Sequence, residues 1–461
     1  MLKVLLVVYD NGSFVPPFPQ GLAYIASALE LAGHEVEVYN QDLHHYPDEH
    51  LTEYLDNNHF DMVGLNIIAG YYQYRKLISI SKAINNVKNR DNFLYILGGH
   101  GPSPDPEFFL RLTGANIVVI GEGEETIVEL LSEDNYNPPK GIAYIDEEDN
   151  FIQTERRELI KDIDSLVPAY HLFPIEFYRL QRYVHTQPTD LIMPVLSGRG
   201  CLYKCSFCFR LDRGFRPRKP SSIIREVRFL QEEYNINVID FSDELLMSSI
   251  GRTKDLCNSI IDAKLNIRWH CNGRLNFARK DVLELMKKAG CIFINYGVEA
   301  MNDYVLKMMN KALTTEMIIK GVENTLEVGI SPGLNLMWGN IGDTKETLDK
   351  AVDFLLKYDD CAQMRTIRFC TPYPGCPLYY YAIKEGLLKD CVDFYENKHK
   401  NSDLLCVNFT DMKEEDMYQN LYKANSLLID NYYKKHAGYM KKQAKKLYLN
   451  RDASFRGFRQ F

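Results

Sequence analysis

The sequence predicts an α/β protein of two units in series, a doubly wound parallel sheet and then a partial barrel of βα units, followed by a helical C-terminal region. Three observations carry this expectation. Short apolar runs alternate with amphipathic stretches from the first residues to about residue 390, the pattern of parallel strands joined by crossover helices. Glycine clusters follow several of those runs, where an open sheet delivers backbone to a ligand. Cys201, Cys205 and Cys208 then crowd into one loop behind a predicted strand at Leu191–Leu196.

At 461 residues, 46% hydrophobic and 25% charged, the chain has room for two or three domains and a large core. A formal net charge of −8 argues against general nucleic-acid binding. Eleven cysteines behind a start, MLKVLLVVYDNG, that lacks a signal peptide predict a reducing, cytoplasmic setting in which thiols bind metal instead of pairing. No apolar run approaches the roughly 18–20 residues of a transmembrane segment. The basic stretch from Lys434 to Phe461, with interleaved aromatics, is either a solvated terminal helix or a peripheral contact for a membrane surface or polyanion.

In the first unit, strands are predicted at Lys3–Tyr9, Glu35–Tyr39, Met62–Ile67, Leu94–Leu97 and Ile117–Ile120, with a helix at Gln20–Leu31 stopped by Gly33. Behind them lie Asn11–Gln20 with Pro16 and Pro17, Asn66–Tyr72, Gly98–Pro102 and Gly121–Glu124. Glycines there let backbone approach a large, flat or phosphate-bearing guest. A nicotinamide dinucleotide would want GxGxxG directly after the first strand, and DNGSFVPPFPQG is not that fingerprint. A hairpin is predicted in GIAYIDEEDNFIQ, within a connecting segment at 136–190. In the second unit the helix Pro220–Tyr234 carries the stripe Ile223, Val227 and Leu230, and strands follow at Asn237–Phe241, Ile267–Cys271 and Cys291–Gly297.

Three thiolates so close suit a cubane iron–sulfur cluster with one iron free of protein ligands. A closed zinc site wants four ligands, and no second pair lies nearby. The stretch LSGRGCLYKCSFCFR resembles the cluster motif of the radical S-adenosylmethionine (SAM) superfamily, and PPFPQGLAYIASALE, LGGHGPS and GEGEET resemble loops of the cobalamin-binding domain that precedes many radical SAM domains. The resemblance covers about 1–135 and 191–390, and leaves 391–461 as a mostly helical region with a basic tail.

That resemblance implies a Rossmann-like cobalamin-binding domain ahead of a (β/α)6 TIM-like barrel. It implies a [4Fe-4S] cluster on Cys201, Cys205 and Cys208, and SAM held near Phe207, Asp243, Glu244, Arg274 and Glu299. Arg274 matches a carboxylate. Asp243 is alternatively a turn cap, and Glu299 and Arg274 are alternatively a structural ion pair. Cobalamin is implied near Pro17, Gly21, Asn66, Gly98, Gly99, Gly121, Glu122 and Gly123. The first loop lacks the histidine of the DxHxxG motif, and the near match Asp42–Pro47 follows the second strand, so cobalamin is expected without a protein imidazole on cobalt, His100 being the lesser candidate. Ile341 stands at the proline of the family's GxPGET segment, and Cys376 at the threonine of its tPyPGTpLY segment.

Cys370, Cys376, Cys391 and Cys406 are spaced too irregularly for a familiar cluster run, and packing is their expected role. Cys370, Cys376 and Tyr373 are the candidates to face a substrate radical. Tyr373 and Tyr379–Tyr381 suit either a flat guest or a core. The implied activity is methyl transfer: one SAM methylates the cobalt, and a second yields a 5′-deoxyadenosyl radical that takes hydrogen from the substrate, whose carbon or phosphorus then accepts the methyl. The alternative is an oxidase, cyclase or ring-rearranging enzyme with the same cofactors. Both are oxygen-sensitive and need a reductant such as flavodoxin or ferredoxin and a small-molecule, lipid, tetrapyrrole or peptide substrate. The remaining classes are a purely sensory cobalamin protein and radical SAM chemistry with an empty or repurposed first domain.

Overall fold

A computed structural model describes residues 1–12, 17–132, 138–211 and 214–451; Pro16 and the last ten residues of the basic tail lie outside the described residues. The first sheet runs through β1 (Lys3–Val8), β2 (Glu35–Asn40), β3 (Met62–Asn66), β4 (Leu94–Gly98), β5 (Ile117–Val119), β6 (Ile142–Ile145) and β7 (Phe151–Gln153). Its order is β2-β1-β3-β4-β5-β6-β7, with the first five parallel. The hairpin of the connecting segment is the antiparallel pair β6–β7, which extends this sheet from the edge of β5.

Strand β1 shows why both faces are covered. Val4, Leu6 and Val8 belong to one core and Leu5 and Val7 to another, as a two-residue repeat requires. The helix Gln20–Leu31 contributes Leu22, Ala23, Ala26 and Leu29 to the first core, and Tyr71–Asn85 contributes Tyr74, Leu77 and Ile80 to the second.

The second sheet holds β8 (Ile192–Val195), then, after a two-stranded ribbon β9 (Gly198–Cys201) and β10 (Gly214–Pro217), β11 (Val238–Phe241), β12 (Arg268–Gly273), β13 (Cys291–Glu299), β14 (Ser331–Trp338) and β15 (Arg368–Phe369). Its six strands are parallel and lie in sequence order, with a helix in each crossover, forming a half-barrel. Ser249, Thr314 and Thr344 start three of these helices by accepting the N–H three residues on. Around Ile341 the chain turns through Gly342 at φ +87°, against the Tyr304 ring, and Thr344 closes a capping box with Thr347.

The two cores tie the units together. The first continues from the sheet into the barrel, and across it Ser242 Oγ donates to Gln20 Oε1 (2.8 Å) while the Ala169 amide donates to the Ala23 carbonyl (2.9 Å). The second joins the opposite sheet face to residues 370–407, where Tyr395 stacks on Tyr74 with centroids 4.4 Å apart. Cys370, Cys376, Cys391 and Cys406 are all buried in that second core. Held on both sides, the carboxyl ends of the two sheets face one another.

The last helix, Glu414–Tyr448, packs Met417, Leu421, Ala424 and Leu428 inward and continues past His436, which meets the Cys361 carbonyl at 3.0 Å. Among the described residues no helix is long and apolar enough to cross a membrane.

Candidate active site between the two sheets

The three cysteines lie on the loop of the β9–β10 ribbon, with Cys201 as the last paired residue of β9. Hydrogen bonds from several elements hold that loop, among them Arg210 Nη1 to the Cys201 carbonyl (3.0 Å), Ser206 N–H to Met309 O (2.9 Å), Leu378 N–H to Ser206 O (2.8 Å) and Asn310 Nδ2 to Lys204 O (2.7 Å). Gly375, at φ +90°, is needed beside it, since a Cβ there would come within 2.6 Å of the Phe209 ring and 2.8 Å of Pro104. Cys205 is buried, Cys201 half-buried, and Cys208 opens onto a cavity. Desolvation pushes the Cys201 thiol up and the Cys208 thiol up to about 12, with Glu244 and the neighbouring thiols adding to it, so these groups ionise when positive charge sits beside them. A set of soft donors that wants a cation fits an iron–sulfur cluster. Among the described residues no three His, Cys, Asp or Glu side chains converge as a single ion requires; a cubane spreads its thiolates over separate corners.

At the barrel mouth the expected SAM residues divide. Phe207 and Glu299 line the larger of two cavities and Glu244 the smaller. Asp243 lines neither: its carboxylate accepts from Ser197 N–H (2.7 Å), Ser197 Oγ (2.5 Å) and Gly198 N–H (2.6 Å), which fixes the turn between β8 and β9. Arg274 is likewise turned inward, donating through Nη2 to the carbonyls of Lys311 and Ala312 and lying 3.4 Å over the Tyr203 ring. Glu299 pairs with Lys311 (2.8 Å), not with Arg274. Glu299 holds φ +70°, a costly conformation for a non-glycine residue, and Gly297 leaves room for the pair, since a Cβ there would meet Glu299 Oε1 at 2.2 Å. Lys311, which no motif announced, is the residue that holds the Glu299 carboxylate.

The smaller cavity, about 340 Å³, lies over the carboxyl ends of β1, β3, β4 and β5. Gly21, Asn66, Gly98, Gly99, Gly121, Glu122 and Gly123 line it from the first unit, and Gly198, Gly200 and Glu244 from the barrel side. Pro17 is exposed and lines neither cavity. Gly98 and Gly121 face open space, while Gly99, at φ +99°, would set a Cβ 2.0 Å from Asn66 Oδ1. That Asn66 oxygen is buried, and among the described residues no donor reaches it. A backbone cradle with an unmatched acceptor fits a bulky guest rich in amide donors, as cobalamin is. The Glu122 carboxylate turns away to accept from Arg199 (2.7 Å), Arg216 (2.8 Å) and the Ile160 amide (2.9 Å). His44 and His45 line neither cavity.

The larger cavity, about 880 Å³, opens between Ile68–Gly70 of the first unit and Cys208, Leu334, Leu336, Met337 and Phe369 of the barrel. Cys370 and Tyr373 line it, the Tyr373 hydroxyl sharing a hydrogen bond with Ser402 Oγ (3.0 Å). Cys376 instead caps the helix Pro377–Lys384, accepting from Tyr379 N–H, and Tyr379–Tyr381 line neither cavity. An amide relay, Asn335 to Asn295 (2.9 Å) to Asn272 (3.1 Å), crosses three strands and ends with Asn335 exposed in this cavity. His100 lines both cavities, its ring perpendicular to Phe209 at 6.2 Å, and desolvation holds its imidazole below the ordinary pKa, toward the neutral form.

Comparison with known proteins agrees with this layout. Residues 195–355 match the radical SAM superfamily and residues 14–131 the B12 binding domain. An uncharacterised methyltransferase of Pyrococcus horikoshii is 27% identical over 84% of each chain. The anaerobic magnesium-protoporphyrin IX monomethyl ester cyclase of Rubrivivax gelatinosus is 25% identical over 78% of this chain and 65% of its own. The fold is similar to that of the radical SAM methyltransferase TsrM from Kitasatospora setae, solved with cobalamin and a [4Fe-4S] cluster, at a TM-score of 0.71 and 19% identity over 92% of this chain and 90% of that one.

Proposed function

Because the chain belongs to the radical SAM superfamily and carries a B12-binding domain, we propose that it is a cobalamin-dependent methyltransferase acting on an unactivated carbon or phosphorus of a substrate held in the larger cavity. The observation that carries this reading is the position of the cysteine loop: it stands between a glycine-walled cavity on the first sheet and a wide cavity at the barrel mouth, and His100 borders both. Cys201, Cys205 and Cys208 would hold the [4Fe-4S] cluster. Phe207, Glu244 and Glu299 would adjoin SAM, and Gly98, Gly99, Gly121 and the Asn66 amide would seat cobalamin. When bound, the cluster supplies the electron for SAM cleavage and cobalamin carries the methyl group.

This chain's own residues position and enclose. Lys311 fixes Glu299 at the end of β13. Leu334, Leu336, Met337 and Phe369 give the substrate space walls that exclude water, and Cys370 and Tyr373 present the transferable hydrogens on them. The electron would come from a reductant such as flavodoxin or ferredoxin in a reducing cytoplasm. The relationship to the cyclase supports a second reading, oxidation or cyclisation at the same site without methyl transfer.

The test is anaerobic purification with cobalamin supplied, metal quantification, and turnover with methyl-labelled SAM. About four irons beside one cobalt per chain, with label in the product, is the expected outcome. SAM cleavage without label transfer would favour the second reading; iron without cobalt would overturn the cobalamin assignment.

A further inference from the structure

The ribbon that presents the cysteines is clamped to the first unit by a buried charge cluster. Arg199 donates from Nη1 to Glu122 (2.7 Å) and pairs through Nη2 with Glu124 (2.7 Å); Arg216, opposite it on β10, meets Glu122 at 2.8 and 3.0 Å and also donates to the Ile160 carbonyl (2.6 Å). These side chains are only 7–18% exposed, and Arg199 lies 4.8 Å over the Tyr24 ring. Exposed pairs would transmit little. Buried, two-pronged pairs resist being pulled apart, because separation leaves charge unpaired away from water.

The cluster also spans the cavity assigned above to cobalamin. Gly121–Glu124 form part of its wall on one side, and Gly198–Gly200, the stretch leading directly into Cys201, part of its wall on the other. A guest that touches both walls bears on both ends of the same ion pairs. We propose that Glu122, Glu124, Arg199 and Arg216 make cobalamin occupancy and assembly of the cysteine loop depend on one another, with Arg199 as the positioning residue. This rests on the functional reading given above. Coupling of this kind is reciprocal: whatever factor the assembled loop adds to cobalamin affinity, cobalamin adds to cluster retention.

The experiment titrates hydroxocobalamin into the full-length protein, once with the iron–sulfur cluster reconstituted and once stripped of iron. Wild type should bind at least about five-fold more tightly when the cluster is present. Arg199→Gln and, from the other side, Glu122→Gln should each reduce that ratio to within roughly two-fold, while Arg199→Lys retains part of it. A merely structural defect would weaken both titrations equally and leave the ratio intact, which would overturn the proposal. If Arg199→Gln does not fold, the near-isosteric Glu122→Gln decides alone. A wild-type ratio near one overturns the coupling and spares the functional reading; no hydroxocobalamin binding by wild type in either state overturns both.

Discussion

The two cavities flank one loop and are built by opposite means. Over the first sheet, space is made by leaving side chains out: Gly98, Gly99 and Gly121 surround the cradle, and among the described residues lining it the buried polar atom without a partner is the Asn66 amide oxygen. At the barrel mouth, space is bounded by side chains whose charges are already matched, Glu299 by Lys311, Arg365 by Asp359 (2.6 Å) and Arg368 by Asp403 (2.9 Å). A backbone cradle suits one large cofactor approached closely; a wall of polar groups and matched charges set among apolar side chains suits a substrate that must be oriented. Damage should therefore differ in kind: added atoms harm the first cavity, and unmatched charges harm the second.

The largest effect separates the two outright. Cys205→Ser removes the buried thiol of the loop and should take iron from about four per chain to near none, abolishing SAM cleavage. Far-ultraviolet circular dichroism should be unchanged, and cobalt should still load at saturating cobalamin. Full iron content in this variant would remove Cys205 from the ligand set.

Next comes the matched charge. Lys311→Met strands the Glu299 carboxylate, whose side chain is 10% exposed, and should cost about 3–5 kcal/mol in urea unfolding. The double variant with Glu299→Gln should recover most of it, because the penalty belongs to the unpaired partner. A single variant as stable as wild type would mean that water reaches the pair.

The glycine wall makes a finer contrast between neighbours. Gly99→Ala forces a Cβ against Asn66 Oδ1 and the Ile67 carbonyl at positive φ, so about 1–3 kcal/mol of stability should go with or without ligand. Gly98→Ala points into open space; its melting temperature should hold while cobalamin affinity falls. Equal behaviour of the two would show that the cradle is not read by close approach.

Local signals explain what the sequence made legible. The helices Gln20–Leu31 and Pro220–Tyr234 lie where their apolar period, Gly33 and Pro220 put them, since each signal acts within a few residues. The three cysteines share one loop because eight residues of chain hold them together. Pairings across the fold had no such signal. Asp243 finds Ser197 and Arg274 finds the 311–312 carbonyls only after β8, β11, β12 and β13 align, so the alternative to ligand binding that each adopts depends on tertiary register. Glu122 reads as a ligand-edge residue in GEGEET, yet its carboxylate belongs to Arg199, 77 positions later. The hairpin at 142–153 was visible as a hairpin, but its docking edge, β5, is a long-range choice.

The smallest effect tests whether the wall of the larger cavity is electrically silent behind its surface. His399 is fully buried among Phe394, Tyr373 and Tyr71, and among the described residues neither ring nitrogen has a partner. Burial lowers its pKa to about 4, against about 6.5 in the unfolded chain. As pH falls, the unfolded chain takes up this proton first, so the stability from keeping His399 neutral is complete above about pH 6.5 and drains away toward pH 4. Between pH 7 and 5.5 the loss should be roughly 1 kcal/mol. Asp343, raised to about 6 by burial, titrates in the same range with the opposite sign, so the effect is read as a difference between proteins. His399→Phe fills the same aromatic surroundings without a titrating group; its urea-unfolding stability should fall less than that of wild type over this interval. Parallel pH profiles for the two proteins would mean that His399 reaches solvent or a hidden acceptor and that the wall behind Tyr373 is not dry.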